Sequence, residues 1–160
     1  MHGHVLQDFV TIRGASTVTT ITQTESAWMD VTPYQDLFAW IDVREVTLGS
    51  LTNIKINLQT APIKDEFLFV TMPATTVSVS GALSSPTILQ VIYSAGSATN
   101  NVALGSFLRW QLVPNGTLNA VWDITFRIAV CCNMVGSHGG GGGGAGRSLG
   151  QSGTGLRMGG

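Results

Sequence analysis

The sequence predicts an all-β protein, an antiparallel β-sandwich of about eight to ten strands with a jelly-roll-like order and a Gly-rich C-terminal extension. Short segments of alternating apolar and polar residues recur about every 8 to 15 residues, with turn-forming Gly, Pro and Asn between them. No helix-length window combines helical periodicity with capping residues. A jelly roll is the commonest way to close that many strands within about 135 residues.

The first half of the chain contains four predicted strands, at residues 6–12, 18–23, 28–31 and 37–48. The second of them is rich in β-branched residues, whose stiff side chains suit a pleated surface. The fourth is apolar on both faces at its start and carries Asp42 and Arg44 on one face later. We therefore expect a central strand whose far end reaches solvent.

Four further strands are predicted at residues 53–59, 66–72, 76–80 and 87–93. The first of these alternates cleanly, with Ile54, Ile56 and Leu58 on one face and polar residues on the other. This alternation is typical of a half-buried strand.

Residues 107–132 give the strongest β-hairpin signal in the chain. Asn115 and Gly116 follow Pro114 between two apolar-patterned runs, and Asn-Gly in that position is the best short-range marker of a tight reversal. The second run alternates strictly from Trp122 onward. Two long paired strands are therefore predicted here.

The register of this hairpin is predicted from its two faces. A two-residue loop would set the apolar rows of the two strands on opposite faces. A one-residue bulge, or a loop of three or five residues, brings Trp110 opposite Trp122 and Arg109 opposite Asp123. We predict this bulged register, with both tryptophans inside the domain and the charged pair on the other face.

The composition changes at Gly136, which predicts a β-sandwich domain at residues 1–135 and a Gly-rich arm at residues 136–160. Thirteen of the last 25 residues are glycine, and such a segment cannot offset the entropy of ordering itself. We expect the arm to be ordered only against a partner surface, held there by its few large side chains. The predicted anchors are Arg147, Leu149, Leu156, Arg157 and Met158.

Charge and composition exclude several classes of partner. Charged residues make up 11% of the chain and the net charge is −1, with an acidic body and a mildly basic arm. This distribution offers no electrostatic footprint for nucleic acid. We also expect no membrane partner, because no apolar stretch approaches the length of a span and the N-terminus lacks the features of a secretory signal.

The sequence predicts no enzyme and no cofactor. Its nine acidic residues are spread along the chain and form no cluster. The two pairs that lie nearest in sequence, Asp65 with Glu66 and Asp30 with Asp36, could in principle hydrolyse a glycosidic bond, but we expect them to be solvated loop charges. The three histidines lie near the chain ends, so no metal cluster is predicted. The two cysteines are adjacent, which places them on opposite faces of a strand and predicts free thiols.

Exposed aromatic residues could form a platform for stacking against sugar rings. Trp40, Trp110 and Trp122 lie in strand cores by pattern, so we expect them to pack inside the domain. Trp28 and Tyr34 lie in or near a loop. They are the two candidates for glycan contact.

Three segments of the chain resemble small β-sandwich proteins encoded among the structural genes of tailed bacteriophages. They are SAWMDVTPYQDLFAWIDV at residues 26–43, INLQTAPIKDEFLFV at 56–70, and FLRWQL with WDITFRIAV in 107–130. The resemblance implies a non-enzymatic virion component, a capsid decoration or cement protein that assembles as a homo-oligomer on the major capsid protein. It implies a location in the virion after synthesis in the host cytoplasm.

Two other functions stay open at this point. One is a carbohydrate-binding domain of a fibre or cell-surface protein, through Trp28 and Tyr34. The other is a component of a phage tail or connector, which composition does not separate from a decoration protein.

Overall fold

Ten antiparallel strands build two packed sheets within the described part of the chain. The structure is a computed structural model that describes residues 2–15, 19–72, 75–81, 87–93, 103–116 and 120–134. The strands are β1 (His2–Gly14), β2 (Ile21–Thr22), β3 (Met29–Asp30), β4 (Tyr34–Thr47), β5 (Leu51–Ala61), β6 (Val70–Thr71), β7 (Val77–Val79), β8 (Thr87–Tyr93), β9 (Phe107–Gly116) and β10 (Trp122–Met134). The predicted all-β sandwich is confirmed.

The strand order is that of a jelly roll. The first sheet has the order β1-β10-β4-β8, and the second has the order β2-β9-β5-β6, with β3 also on β9 and β7 also on β5. If β2 with β3, and β6 with β7, are each taken as one interrupted strand, the two sheets contain four strands each. Most connections then cross from one sheet to the other, as in the double Greek key of a jelly roll.

The core lies between the two sheets. Trp110 of the second sheet meets Phe126 of the first edge to face, with ring centroids 5.2 Å apart. Gln23, only 3% exposed, also joins the sheets. Its amide donates to the carbonyl of Leu6 in β1 (2.8 Å) and accepts from the backbone N–H of Trp110 in β9 (3.2 Å). The buried amide therefore has partners on both sides of the core.

The predicted pairing of β9 with β10 is wrong. β9 pairs with β5, β2 and β3, whereas β10 pairs with β1 and β4, so the two strands lie in different sheets. Asn115 and Gly116 lie inside β9, opposite Asn53 and Leu51 of β5. Residues 117–119, between the strands, lie outside the described residues. A connection that crosses between sheets carries the same turn-forming residues as a hairpin, and this explains the error.

The predicted register fails together with the hairpin. Trp122 lies opposite Gly14 of β1, and Arg109 and Asp123 lie in different sheets, so neither predicted cross-strand pair exists. Both tryptophans are nevertheless buried, because the inner faces of the two sheets share one core: Trp110 is 4% and Trp122 is 1% exposed. The mismatch of apolar rows needs no bulge, since strands in opposing sheets share no hydrogen-bond register.

Several strand boundaries also differ from prediction. β8 coincides with the predicted strand, whereas only Ile21–Thr22 of the predicted strand at 18–23 pairs as β2. Glu66–Leu68, predicted to be strand, is a 3₁₀ turn. The side chain of Asp65 accepts a hydrogen bond from the backbone N–H of Phe67 (2.9 Å) and so caps that turn.

Polar side chains predicted to reach solvent are buried at three positions. Asp42, Asn57 and Gln59 are 4%, 8% and 5% exposed. Asn57 accepts from the hydroxyl of Thr76 (3.0 Å), and Gln59 accepts from Nε of Arg109 (2.8 Å). Burial is tolerated because these amides have hydrogen-bond partners beside them.

Candidate interaction surfaces

The outer face of the first sheet carries two apolar rows that cross three strands. In one row Val5, Ala129 and Trp40 lie side by side; in the next, Gly3, Cys131 and Phe38 do so. Trp40 and Phe38 contact each other edge to face, with centroids 4.2 Å apart. The prediction that Trp40 packs inside the domain is therefore wrong, because it lies half-buried on the outer face. We call these six residues the outer patch. The side chains of Phe38, Trp40, Ala129 and Cys131 point away from the core because their neighbours along β4 and β10 are buried in it.

Small residues in the outer patch leave a depression between larger ones. Its volume is about 430 Å³, and it is lined by Gly3, Val5, Trp40, Ala129 and Cys131 together with adjacent atoms of His4 and Val130. A side chain at position 3 would meet no atom within 4 Å at its first carbon. Val5 is 62% exposed at the rim. The depression is therefore an open apolar site.

A charged cluster borders the outer patch on the same face. The Oδ2 atom of Asp42 accepts hydrogen bonds from Arg44 (2.8 Å) and Arg127 (3.1 Å). Both guanidinium groups also lie over the ring of Phe9, at 5.2 and 4.6 Å from its centroid. Two cations share one carboxylate, which leaves this cluster positive. It lies one row along β4 from Trp40.

A second exposed apolar surface lies on the segment that joins β5 to β6 and on the first residue of β6. Ile63, Phe67, Leu68 and Val70 are 57%, 95%, 41% and 48% exposed, and we call them the loop patch. The 3₁₀ turn capped by Asp65 fixes the backbone that presents Phe67. Sequence patterning placed Phe67, Leu68 and Val70 in a strand at residues 66–72 and so missed the surface. The capping aspartate directly before Glu66–Leu68 is the signal that could have indicated it.

A buried arginine organises the side chains beside the loop patch. The guanidinium of Arg109 lies 4.1 Å from the ring centroid of Phe69 and 5.3 Å from that of Trp28. It also donates to Gln59 and forms an ion pair with the exposed Glu66 at 3.6 Å. Burial lowers the pKa of Arg109 below its ordinary value, and Glu66 opposes that shift. These contacts anchor the base of the loop to β5 and β9.

The two candidate glycan contacts lie in different surroundings. Trp28 packs edge to face on Phe69, with centroids 4.6 Å apart, and its indole N–H donates to the carbonyl of Gln23 (2.9 Å). Tyr34 begins β4 in the first sheet, and its hydroxyl lies 3.0 Å from Nε2 of His4. Both side chains are half-buried and engaged with their own chain. Glycan contact through them stays a prediction.

The remaining predicted sites lie outside the described residues or in the core. The arm and its anchors Arg147, Leu149, Leu156, Arg157 and Met158 all lie outside the described residues, so the boundary at residues 135 and 136 also stays a prediction. Cys131 and Cys132 are free thiols on opposite faces of β10. Burial, followed by the neighbouring thiol of Cys131, raises the pKa of Cys132 to about 11.

The described residues contain neither a membrane-spanning helix nor a metal-binding cluster. Among them, no helix has both the length and the apolar character needed to cross a membrane. The same residues contain no group of three or more His, Cys, Asp or Glu side chains arranged to hold a metal ion.

Comparisons with known proteins give structural matches only. No family model matches the chain, and no curated protein matches it. The crystal structure of the infectious bursal disease virus VP2 subviral particle aligns over 81% of this chain with 11% identity and a TM-score of 0.49. The structure of the Gx strain of that virus aligns over 86% with 12% identity and a TM-score of 0.40. In both cases this chain covers 32% of the other chain's length. The resemblance to tailed-phage structural proteins stays a prediction.

Proposed function

We propose that this chain is a non-enzymatic structural protein of a virion, of the decoration or cement type. It binds the head surface, and hence the major capsid protein, through its β body and through the arm at residues 136–160. It also contacts copies of itself. The observation that carries this proposal is the pair of exposed apolar surfaces, the outer patch and the loop patch, on a jelly-roll body.

Exposed apolar side chains that lie together favour a protein partner. Single exposed apolar residues are ordinary, whereas contiguous patches mark contact sites. Val5, at 62% exposure, lies in a row with Ala129 and Trp40, and Phe67, at 95%, adjoins the exposed Leu68 in the 3₁₀ turn. Jelly rolls serve both as capsid domains and as lectin domains. The aromatic groups needed for the lectin alternative are less exposed here, since Trp28 and Tyr34 are half-buried.

The carboxylates that could suggest hydrolytic chemistry have structural partners. Asp65 caps the 3₁₀ turn, and Asp42 binds two arginines. Asp30 accepts from both the backbone N–H and the hydroxyl of Thr32, and these bonds hold its pKa below the usual value. These contacts agree with a structural role for each carboxylate.

Deletion of residues 136–160 tests the attachment role. The truncated chain is expected to fold, because the two sheets lie within residues 2–134. It is expected to be depleted from purified virions, because attachment through both body and arm gains avidity that the body alone lacks. Quantitative mass spectrometry of virions that carry either the full or the truncated chain as the sole copy measures occupancy.

A matched control replaces the five predicted anchors by serine and keeps the arm length. Equal depletion in this variant assigns the effect to the anchors rather than to the loss of chain. Unchanged occupancy of the truncated protein would contradict attachment by the arm. Finding the full-length chain in separated tails, and not in heads, would assign it to the tail or connector instead.

A further inference from the structure

We propose that copies of this chain associate head to tail, with Phe67 of one copy inserted into the depression of the outer patch of the next. The inference rests on the proposed assembly role and names its self-contact. The two halves of the contact are different surfaces of the same chain, so the interface is heterologous.

Phe67 has the properties of an anchor residue. At 95% exposure, its side chain has almost no contact with its own chain. Its backbone is nevertheless held, because its N–H donates to Asp65 (2.9 Å) and the N–H of Leu68 donates to the Asp65 carbonyl (3.2 Å). Because the backbone is already fixed, and an aromatic side chain has only two torsion angles to order, insertion costs little conformational entropy. Aromatic anchors of this kind dominate the energetics of interfaces.

The outer patch offers a complementary site. The depression of about 430 Å³ has room for a phenyl ring and for part of a neighbouring aliphatic side chain such as Leu68. Trp40 lines the depression together with the small residues Gly3 and Ala129, so the approaching ring meets apolar surface. No described side chain of the same chain fills this space.

The charges beside the two surfaces have opposite sign. Phe67 follows Asp65 and Glu66 directly, and the ion pairs in that region join Glu66 to Arg109 and Lys64 to Glu25. Three acidic groups therefore face two basic ones, a net charge of −1. In the charged cluster beside the outer patch, Arg44 and Arg127 share the carboxylate of Asp42, so these three groups together carry a net charge of +1. Complementary charges of this kind steer docking and fix its orientation.

The spacing of the charges also fits the insertion. The charged cluster lies two residues along β4 from Trp40, a distance of about 7 Å on a strand. Asp65 and Glu66 lie within two residues of Phe67 on a tight turn. A Phe67 ring in the depression thus brings these carboxylates within reach of Arg44 and Arg127.

The area involved indicates a weak contact that becomes effective through repetition. An exposed phenylalanine offers on the order of 200 Å², whereas a standard interface buries about 800 Å² on each partner. Even with the rest of the loop patch, one contact is small. Copies held side by side on a surface would make many such contacts at high effective concentration.

Sedimentation velocity of the full chain, from about 10 μM to about 1 mM, covers the range in which small interfaces dissociate. The wild-type chain is expected to associate beyond a dimer, because a heterologous contact repeats. The Phe67→Ser and Gly3→Trp variants are each expected to weaken self-association at least about tenfold, since one loses the anchor and the other fills the depression. Circular dichroism checks that both retain the fold. Val121→Ser, at an exposed apolar position (71%) outside both patches, is the matched control.

A mixture of the two variants gives the decisive result. Phe67→Ser keeps an intact depression, and Gly3→Trp keeps an intact Phe67. One contact can therefore form between the two variants, and no further copy can add to that pair. The expected species is a dimer of one copy of each, whereas each variant alone is a monomer. An isologous contact, which uses the same surface on both copies, gives no such rescue.

Several results would overturn the proposal. They are a monomeric wild-type chain over the whole range, association of either variant at wild-type strength, no dimer in the mixture, or equal weakening by Val121→Ser. Loss of association on deletion of residues 136–160, with Phe67→Ser unaffected, would identify the arm as the occupant instead.

Virion occupancy separates this contact from the proposed function. A chain absent from virions that still associates head to tail refutes the virion role alone, and a Phe67→Ser chain that associates normally refutes the contact alone.

Discussion

Gly14 and Trp122 form a pair whose coupling tests the pairing of β1 with β10. They lie directly opposite each other, and a methyl group on Gly14 would overlap the indole ring of Trp122. Trp122 is 1% exposed, and its indole nitrogen has no hydrogen-bond partner among the described residues. Replacement of Gly14 by Ala therefore forces a buried ring to move, whereas replacement of Trp122 by Phe removes the atoms that are struck.

The magnitudes follow from these contacts. Overpacking of a filled core costs about 1–3 kcal/mol, and we expect Gly14→Ala to lie in the upper half of that range because the overlap is with a rigid ring. Trp122→Phe loses apolar contact, but it also removes a buried unpartnered N–H, which itself costs about 1–3 kcal/mol. Its net cost should be near 1 kcal/mol. The double variant should be at least about 1 kcal/mol more stable than the sum of the two single effects.

Urea unfolding followed by far-ultraviolet circular dichroism measures this cycle without relying on tryptophan emission. Thermal midpoints provide a second measurement, at about 4 °C for each kcal/mol in a domain of this size. The control cycle combines Gly14→Ala with Trp110→Phe, which lies in β9 of the other sheet. Additivity within about 0.5 kcal/mol is expected there. Additivity in the Trp122 cycle, with coupling in the Trp110 cycle, would refute the strand assignment.

Two further predictions concern other parts of the fold. Gly49 has a left-handed φ of +57°, and a side chain there would overlap the carbonyl of Val121, so Gly49→Ala should destabilise by at least about 1–2 kcal/mol. Gly81→Ala, at an open position, should be within about 0.5 kcal/mol of wild type in the same unfolding assay, and equal effects of the two would argue against the strain. For the thiols, the pKa of about 11 keeps Cys132 protonated at pH 8, so a chromogenic disulfide reagent should titrate only Cys131 in the folded chain and both thiols in urea. Equal rates for the two thiols in the folded chain would contradict the buried position of Cys132.

The sequence was informative wherever local pattern and burial coincide. β8 was predicted at its observed bounds, and the strict alternation from Trp122 onward identified the inward row of β10. The strand that pairs with a given strand cannot be predicted from the same pattern. Alternation determines which face of β10 is apolar but not which strand lies beside it, because both a hairpin and a crossing between sheets bury the same row. The predicted hairpin failed on that point.

The candidate surfaces were hidden from the sequence for a related reason. Phe67 lies in an apolar run that reads as a strand, and only the capped turn at Asp65 exposes it. Gly3 and Trp40 are 37 residues apart in the chain and meet through β10, which pairs with both β1 and β4. A surface assembled from three strands becomes visible only when their order is known.

The edges of the two sheets explain why association should use faces and a loop rather than strand addition. An exposed edge with free N–H and C=O groups invites pairing with another chain. β1, the long edge of the first sheet, has register shifts between Val5 and Gln7 and between Gln7 and Val10, with the exposed Asp8 between them. Such bulges and an edge charge prevent a second strand from pairing along the edge. The edge strands of the second sheet are only two or three residues long. Protection of β1 and of the short edge strands favours association through faces and loops, for which the described residues offer the outer patch and the loop patch. These two patches differ in shape and in charge. Surfaces that are complementary to each other, but not to themselves, favour an ordered head-to-tail array over random aggregation.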